Sequence, residues 1–330
     1  MLRALLILLL LTTPLSSQAT TLKIATLAPD GTRWMETMRA GASEVEARTD
    51  GRVKLRFYPG GVMGNDNSVL RKIRVGQLHG AALTAGGLST VYPDIQLYSL
   101  PFLFRDNTEV DSVRAVLDPL LIEGLQRQGF VSYGISESGF AYLMSQHPLE
   151  NVEALQQRRI WTPEGDQISL QAFQTIGISP VPLPLTDVLT GLQTGLIDTV
   201  ASSPVGAIAL QWHTRIRHVA DIPLTYLYGT LVIREKALGG LSAEDRKTLE
   251  SVMREHTLQL NRQNREDNRQ ARQAMQQQGI RFSAPLEQES DSWRQLIERV
   301  EKELKSENQL DPGLVDRLFR ELDRLRKRTR

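Results

Sequence analysis

Residues 181–201 read VPLPLTDVLTGLQTGLIDTVA, and three elements follow one another within them. Val181-Pro182-Leu183 is a short apolar strand, Thr186 to Thr194 has helical spacing, and Ile197 to Ala201 is a second strand beyond Gly195. Upstream, Arg159 to Thr162 reads as a strand and Asp166 to Ile176 as a helix stopped by Gly177. Strand, helix, strand, helix, strand is the rhythm of an α/β domain with a largely parallel sheet.

The same rhythm opens the chain. Leu22 to Thr26 is a strand, Pro29-Asp30-Gly31 a turn, and Trp34, Met38, Ala42 and Val45 share one face of a helix that Asp50-Gly51 ends. Val53, Leu55 and Phe57 alternate with Lys54, Arg56 and Tyr58, the pattern of a half-buried strand closed by Pro59-Gly60-Gly61. Asn67-Ser68 is positioned to cap a helix carrying Leu70 and Ile73, ended by Gly76; Gly80 to Ala85 then runs as a small-residue strand into Gly86-Gly87. Leu70, Gly76 and His79 repeat the spacing of Leu189, Gly195 and Asp198. The doubled rhythm predicts two similar α/β lobes.

Two extended stretches, Val131 to Ser145 and Val219 to Ile233, are the expected crossovers between lobes. Ser242 to Gln278 is helical and very polar, as expected of a long helix lying across the surface. Ile280 to Ser283 is read as a last strand, with Glu287 to Lys305 and Pro312 to Arg328 as closing helices. The expected division is residues 20–135 with about 226–262 in lobe I, and 136–225 with about 263–330 in lobe II.

The 330 residues are 41% hydrophobic and 23% charged, enough apolar material for real cores in about two globular units. There is no cysteine, which excludes disulfides, thiolate nucleophiles, Cys-based metal sites and a lipidated N-terminal cysteine. Arg3, the apolar run Ala4 to Leu11, Pro14 and Ser17-Gln18-Ala19 have the layout of an export signal at residues 1–19, so cleavage is expected after Ala19 and a periplasmic location follows. Loss of Arg3 turns 39 basic against 38 acidic residues into 38 against 38, so charge gives no argument for nucleic acid as a partner. The basic end at Arg324, Arg326, Lys327, Arg328 and Arg330 is interrupted by Glu321 and Asp323 and reads as a solvated last helix.

Catalytic patterns are missing. His79, His147, His213, His218 and His256 show no metal-ligand spacing, no G-x-S-x-G elbow occurs, and Gly60-Gly61-Val62-Met63-Gly64 lacks the lysine of a phosphate loop. Glu137 is a lone carboxylate without a catalytic partner. No enzyme, metal or cofactor is expected. Ligands of doubly wound lobes sit outside the carboxyl ends of the strands, here Ala28-Pro29, Ala85-Gly86, Trp161-Thr162-Pro163 and Ser202-Ser203.

Ordered motifs along the mature chain now carry a resemblance. Ala25-Thr26-Leu27-Ala28-Pro29, Tyr58 through Gly64, Gly76-Gln77-Leu78-His79-Gly80, Leu100 through Asp106, and Pro182 through Asp198 together resemble the DctP-type substrate-binding proteins of tripartite ATP-independent periplasmic (TRAP) transporters. The resemblance implies two lobes joined by crossover strands, a long helix spanning both, closure on a small organic ligand, and delivery to the subunits of a sodium-coupled TRAP membrane permease. It implies a monomer; the face around Gln259 to Gln278 is where a dimer would form. A ligand-sensing protein on the same fold is the alternative.

One departure bears on the ligand. Relatives of this type carry a Lys-Ile-Arg-Val-Pro-like run whose Arg pairs with a substrate carboxylate, whereas Arg159-Ile160-Trp161-Thr162-Pro163 puts Trp161 there. Polar anchors after the following helix are likewise reduced to Ser202 and Ser203. A tryptophan offers area, a stacking face and one N–H, and does not offset the desolvation of a carboxylate as a bidentate arginine does. The expected ligand is therefore less polar than a small dicarboxylate, unless Arg33, Arg105 or Arg159 supplies the cation. The expected ligand-binding residues are Trp34, Gly86, Glu137, Phe140, Trp161, Pro163, Ser202, Ser203 and Trp212, with Tyr142 and Phe102 as further apolar lining.

Overall fold

The computed structural model describes residues 19–284 and 310–328; the export segment and the helix expected at Glu287 to Lys305 lie outside the described residues. The first lobe begins with strand β1 (Thr20–Thr26), helix α1 (Arg33–Arg48), β2 (Val53–Tyr58), α2 (Asp66–Arg74), β3 (Gly80–Thr84) and the single turn α3 (Ala85–Leu88). A 3-10 stretch at Pro93–Ser99 leads to α4 (Asn107–Arg127). The second lobe holds α5 (Val152–Gln156), β5 (Trp161–Pro163), α6 (Gln167–Thr175), β6 (Val181–Leu183), α7 (Val188–Thr194), β7 (Thr199–Ser202), α8 (Pro204–Ala209) and β8 (His218–Ala220).

Caps decide several boundaries. Thr32 Oγ1 accepts from Met35 N to start α1, and Asp106 Oδ1 accepts from Thr108 and Glu109 N to start α4. For α2 the cap is Asn65, whose Oδ1 accepts from Ser68 N, so the helix begins two residues ahead of the Asn67 expectation. Gly195, at φ 74°, takes the left-handed turn that ends α7.

The sheet is less parallel than expected. β1 pairs in parallel with β2 and β3, but β9 (Thr225–Arg234) is antiparallel to both β3 and β4 (Phe130–Ser145); with β10 (Arg281–Ser283) at the far edge the order is β10-β8-β4-β9-β3-β1-β2. The reason is the crossover itself. Strand β4 pairs with β9 along its first part and with β7 and β8 at Tyr142–Ser145, carrying one chain from lobe to lobe. The second extended stretch is broken into β8 and β9; between them lies Pro223, which has no N–H for a ladder.

Helix α9 (Ala243–Gln277) follows as one 35-residue element, and β10 (Arg281–Ser283) pairs with β8. Its contacts change lobe along its length. His256 meets Glu44 of α1 and Arg265 meets Asp111 of α4, whereas Asn268 Oδ1 accepts from Val205 N of α8 and Arg272 pairs with Asp221 beyond β8. Helix α10 (Pro312–Arg328), expected with lobe II, packs instead on α4 of lobe I: Leu318 and Leu322 are fully buried, and Arg326 binds Glu109 at 2.7 Å and the Leu103 carbonyl. An amphipathic pattern specifies that a face is buried, not which surface buries it.

Lobe I has a core of Leu22, Ile24, Met38, Val45 and Leu249 between the sheet, α1 and α9. The lobe II core gathers Met144, Val188, Leu192, Ile197 and Val200.

Candidate ligand cleft

A cavity of about 430 Å³ lies between the lobes, within the range of small-molecule sites. All the strand ends singled out above border it: Ala28-Pro29 and Ala85-Gly86 from lobe I, Trp161 to Pro163 and Ser202-Ser203 from lobe II. Parallel strands deliver their carboxyl ends and the following helix starts to one edge, so short sequence runs from distant places converge there.

Of the nine expected ligand-binding residues, eight line this cavity and Phe140 does not. Phe140 stands edge-on to Tyr226, with ring centroids 5.4 Å apart. Trp34 is half-buried against Phe57, and Gly86 faces Asp166 across the seam. Ser203 caps α8 by accepting from Gly206 N, and Ser202 donates to the Ser203 carbonyl, so both hydroxyls already have partners.

Trp161 is only 4% exposed and belongs to the lobe II core, edge-on to Trp212 at 5.2 Å. Its Nε1–H donates to the Leu183 carbonyl at 3.0 Å. The N–H expected to be offered to a ligand is therefore committed to holding β5 against β6, and the indole supplies apolar wall. Thr162, next along the strand, alternates to the other side. It is 1% exposed, borders the cavity, and its Oγ1 has no hydrogen-bond partner.

Glu137 lines the cavity, yet its carboxylate is saturated. Oε1 accepts from Arg265 Nε at 3.0 Å, while Oε2 accepts from Arg114 Nη1 and Arg265 Nη2, both at 3.2 Å, and from the Tyr226 hydroxyl. Arg114 is also paired with Asp118 at 2.9 Å. Burial, and next the Glu137 charge, push the Tyr226 hydroxyl well above its ordinary range. The cluster sits where β4 shifts register between Glu137 and Gly139, at the passage from one lobe to the other.

Asp66 is the opposite case. Oδ2 accepts from Thr84 Oγ1 at 3.3 Å, but Oδ1 is buried with no donor. Burial pushes its carboxyl up to about 6, with the Thr84 hydrogen bond pulling weakly the other way. The carboxylate lies over Gly87, where a Cβ would overlap it. Asn65 beside it reaches across the seam to Glu164 at 3.3 Å, and Gln96 reaches to Asp166 at 3.0 Å, so the lobes are already tied together at this edge. Asp66 is not among the expected residues, and Thr162 enters the expectation only within the strand end Trp161-Thr162-Pro163. Their signal was position: each lies within three residues of a strand's carboxyl end or a glycine turn at the cleft edge.

The three candidate cations divide plainly. Arg159 pairs with Asp198 at 3.3 Å and does not line the cavity, and neither does the exposed Arg105. Arg33 does line it, half-exposed and paired with Asp267 at 2.7 Å. Among the described lining residues it is the one Lys, Arg or His, against the carboxylates of Asp66, Glu137, Glu164, Asp166 and Asp267. No group of residues able to hold a metal ion occurs among the described residues, and none of their helices is long and apolar enough to cross a membrane.

Comparison with known proteins gives a consistent result. The model of the family described as bacterial extracellular solute-binding protein, family 7 (DctP), matches residues 24–308. The chain is 24% identical over 217 residues to the uncharacterised protein YiiZ of Salmonella typhimurium, covering 64% of this chain and 65% of that protein, just under two thirds of its length. It is 23% identical over 268 residues to the C4-dicarboxylate-binding periplasmic protein DctP of Rhodobacter capsulatus, 78% of each chain. The solved structure of a Bordetella pertussis extracytoplasmic solute receptor binding pyroglutamic acid superposes with a TM-score of 0.83 over 92% of this chain and 99% of that one, at 17% identity, which is a likeness of fold.

Proposed function

Since the chain belongs to family 7 of the bacterial extracellular solute-binding proteins, we propose that it is a periplasmic receptor that closes on a small organic ligand with an apolar body and hands it to a sodium-coupled TRAP permease. Members of this family bind and present solutes and are not enzymes. The export layout of residues 1–19 supports secretion of the mature chain from Thr20.

The observation that carries the ligand class is the cation inventory of the cleft. Relatives named for their ligands bind carboxylates. Closing a cleft over a carboxylate without a dedicated cation leaves a desolvated charge uncompensated, at a cost of several kcal/mol. Here Trp161 occupies the expected arginine position as a core residue, and Arg33 is held by Asp267. Leu27, Trp34, Phe173, Leu185 and Trp212 supply apolar wall instead.

The test is native mass spectrometry of the purified mature protein, followed by solvent extraction of whatever co-purifies. An aromatic or aliphatic-bodied molecule is expected. A small dicarboxylate or sugar acid would overturn the reading, because it would require Arg33 to leave Asp267 for the ligand.

A further inference from the structure

We infer that Asp66 and Thr162 form the polar anchor of the cleft and that the ligand they recognise presents a hydrogen-bond donor, an ammonium or hydroxyl group, in place of a carboxylate. This rests on the apolar-bodied reading above and adds the chemistry of the ligand's polar end.

Two buried polar atoms from opposite lobes are left without partners at one cavity: Asp66 Oδ1 at the start of α2 and Thr162 Oγ1 in the middle of β5. Buried polar atoms are nearly always satisfied, and a half-satisfied carboxylate is the costliest kind to leave. No donor among the described residues reaches Asp66 Oδ1. The Asn65 amide is turned to Glu164, the Gln96 amide to Asp166, and Thr84 serves the other Asp66 oxygen. Without a Cβ, Gly87 lets the Asp66 carboxylate pack directly over it, and any side chain there would collide with it. The Asp66 Oδ1 acceptor is left for a donor brought from outside. A carboxylate head would instead meet Asp66, Glu164 and Asp166 as like charges. Asp66 lies in α2 and Thr162 in β5, so a ligand that engaged both would also favour the closed arrangement.

The test uses the mature full chain at pH 7.5 and three matched probe series. Each has a linear or cyclic hydrocarbon body of roughly four to ten carbons, the size a small-molecule cavity takes, ending in a primary ammonium, a hydroxyl or a carboxylate. Binding is read by thermal shift and then calorimetry on wild type, Asp66→Asn and Thr162→Val, with folding of each variant checked by its melting curve. Donor-headed probes are expected to bind, their affinity falling about tenfold or more in Asp66→Asn and less in Thr162→Val. The ammonium and hydroxyl arms tell which donor is preferred. Tighter binding of carboxylate-headed probes, or donor-headed binding unchanged in both variants, overturns the anchor while leaving the apolar-bodied reading intact. Sugar acids run alongside address that reading separately: their binding in place of all three series overturns it, and silence from every compound overturns both.

Discussion

Glu137 and Asp66 are two carboxylates bordering one cavity, and they have opposite surroundings. Glu137 is 4% exposed and accepts from two arginines and a tyrosine, whereas Asp66 has one weak hydroxyl donor and a buried oxygen with none. A buried charge that is fully paired holds its surroundings in place. One left unpaired weakens the empty protein and stands ready for a partner. The same contrast recurs between neighbours on β5, where the Trp161 N–H is bonded to Leu183 and the Thr162 hydroxyl is bonded to nothing. The Glu137 cluster therefore belongs to the hinge between lobes, and Asp66 with Thr162 to recognition.

The largest effect should come from the paired member. Glu137→Ala leaves the Arg114 and Arg265 guanidinium groups short of their shared counter-charge and should cost about 3–5 kcal/mol, measured by urea denaturation; a loss below about 1 kcal/mol would place Glu137 outside the hinge. Trp161→Phe removes the Leu183 bond and part of a buried ring, and should cost about 2–3 kcal/mol. Because Trp161 is buried, its fluorescence emission should be that of a buried indole before any ligand is added.

Asp66→Asn should stabilise the ligand-free protein at neutral pH by about 2 kcal/mol. The sign follows from the raised carboxyl. With a folded value of about 6 against 3.8, the folded state holds the proton more tightly, so this group's contribution is most favourable below about pH 4. That contribution falls away as pH rises toward 6. The melting-temperature difference between Asp66→Asn and wild type should therefore grow from pH 4 to 6.5 and then level off; a flat difference would contradict the desolvated state of Asp66. The smallest effect is expected of Thr162→Val, a gain of about 1 kcal/mol in the empty protein, because a buried hydroxyl without a partner becomes a methyl and no bond is lost; a destabilisation would mean that the hydroxyl has a partner.

The architecture was legible because it is written in local signals. Strand and helix periods, glycine stops and the crossover stretches need only a dozen residues each, and the elements read from them lie within a few residues of those found. Helices α4, α5 and α8 escape that reading, and Val219 to Ile233 reads as one stretch where Pro223, lacking an N–H, separates β8 from β9. The state of polar atoms was not legible, because it depends on partners far along the chain. Glu137 meets Arg265 at a separation of 128 residues, and the Trp161 donor finds its carbonyl 22 residues away. The place of Trp161 in a motif marks it as a cleft residue, and it does border the cavity, but the bond that holds its N–H to Leu183 is not written locally. The placement of α10 on α4 is nonlocal in the same sense, resting on Arg326 and Glu109 at a separation of 217 residues.

Helix α9 gives the hinge a mechanical side. At 35 residues it is a beam about 50 Å long, riveted to lobe I through His256, Asn261 and Arg265 and to lobe II through Asn268 and Arg272. Any rotation of one lobe against the other must flex this beam between the two sets of rivets, around residues 265–268. At that place Asn268 Nδ2 donates to Asn264 Oδ1, one turn back, at 2.7 Å and to the Ser138 carbonyl of the crossover strand at 2.9 Å. With Asn268 Oδ1 accepting from Val205 N, one asparagine fastens the middle of the beam both to α8 and to the strand that crosses between the lobes.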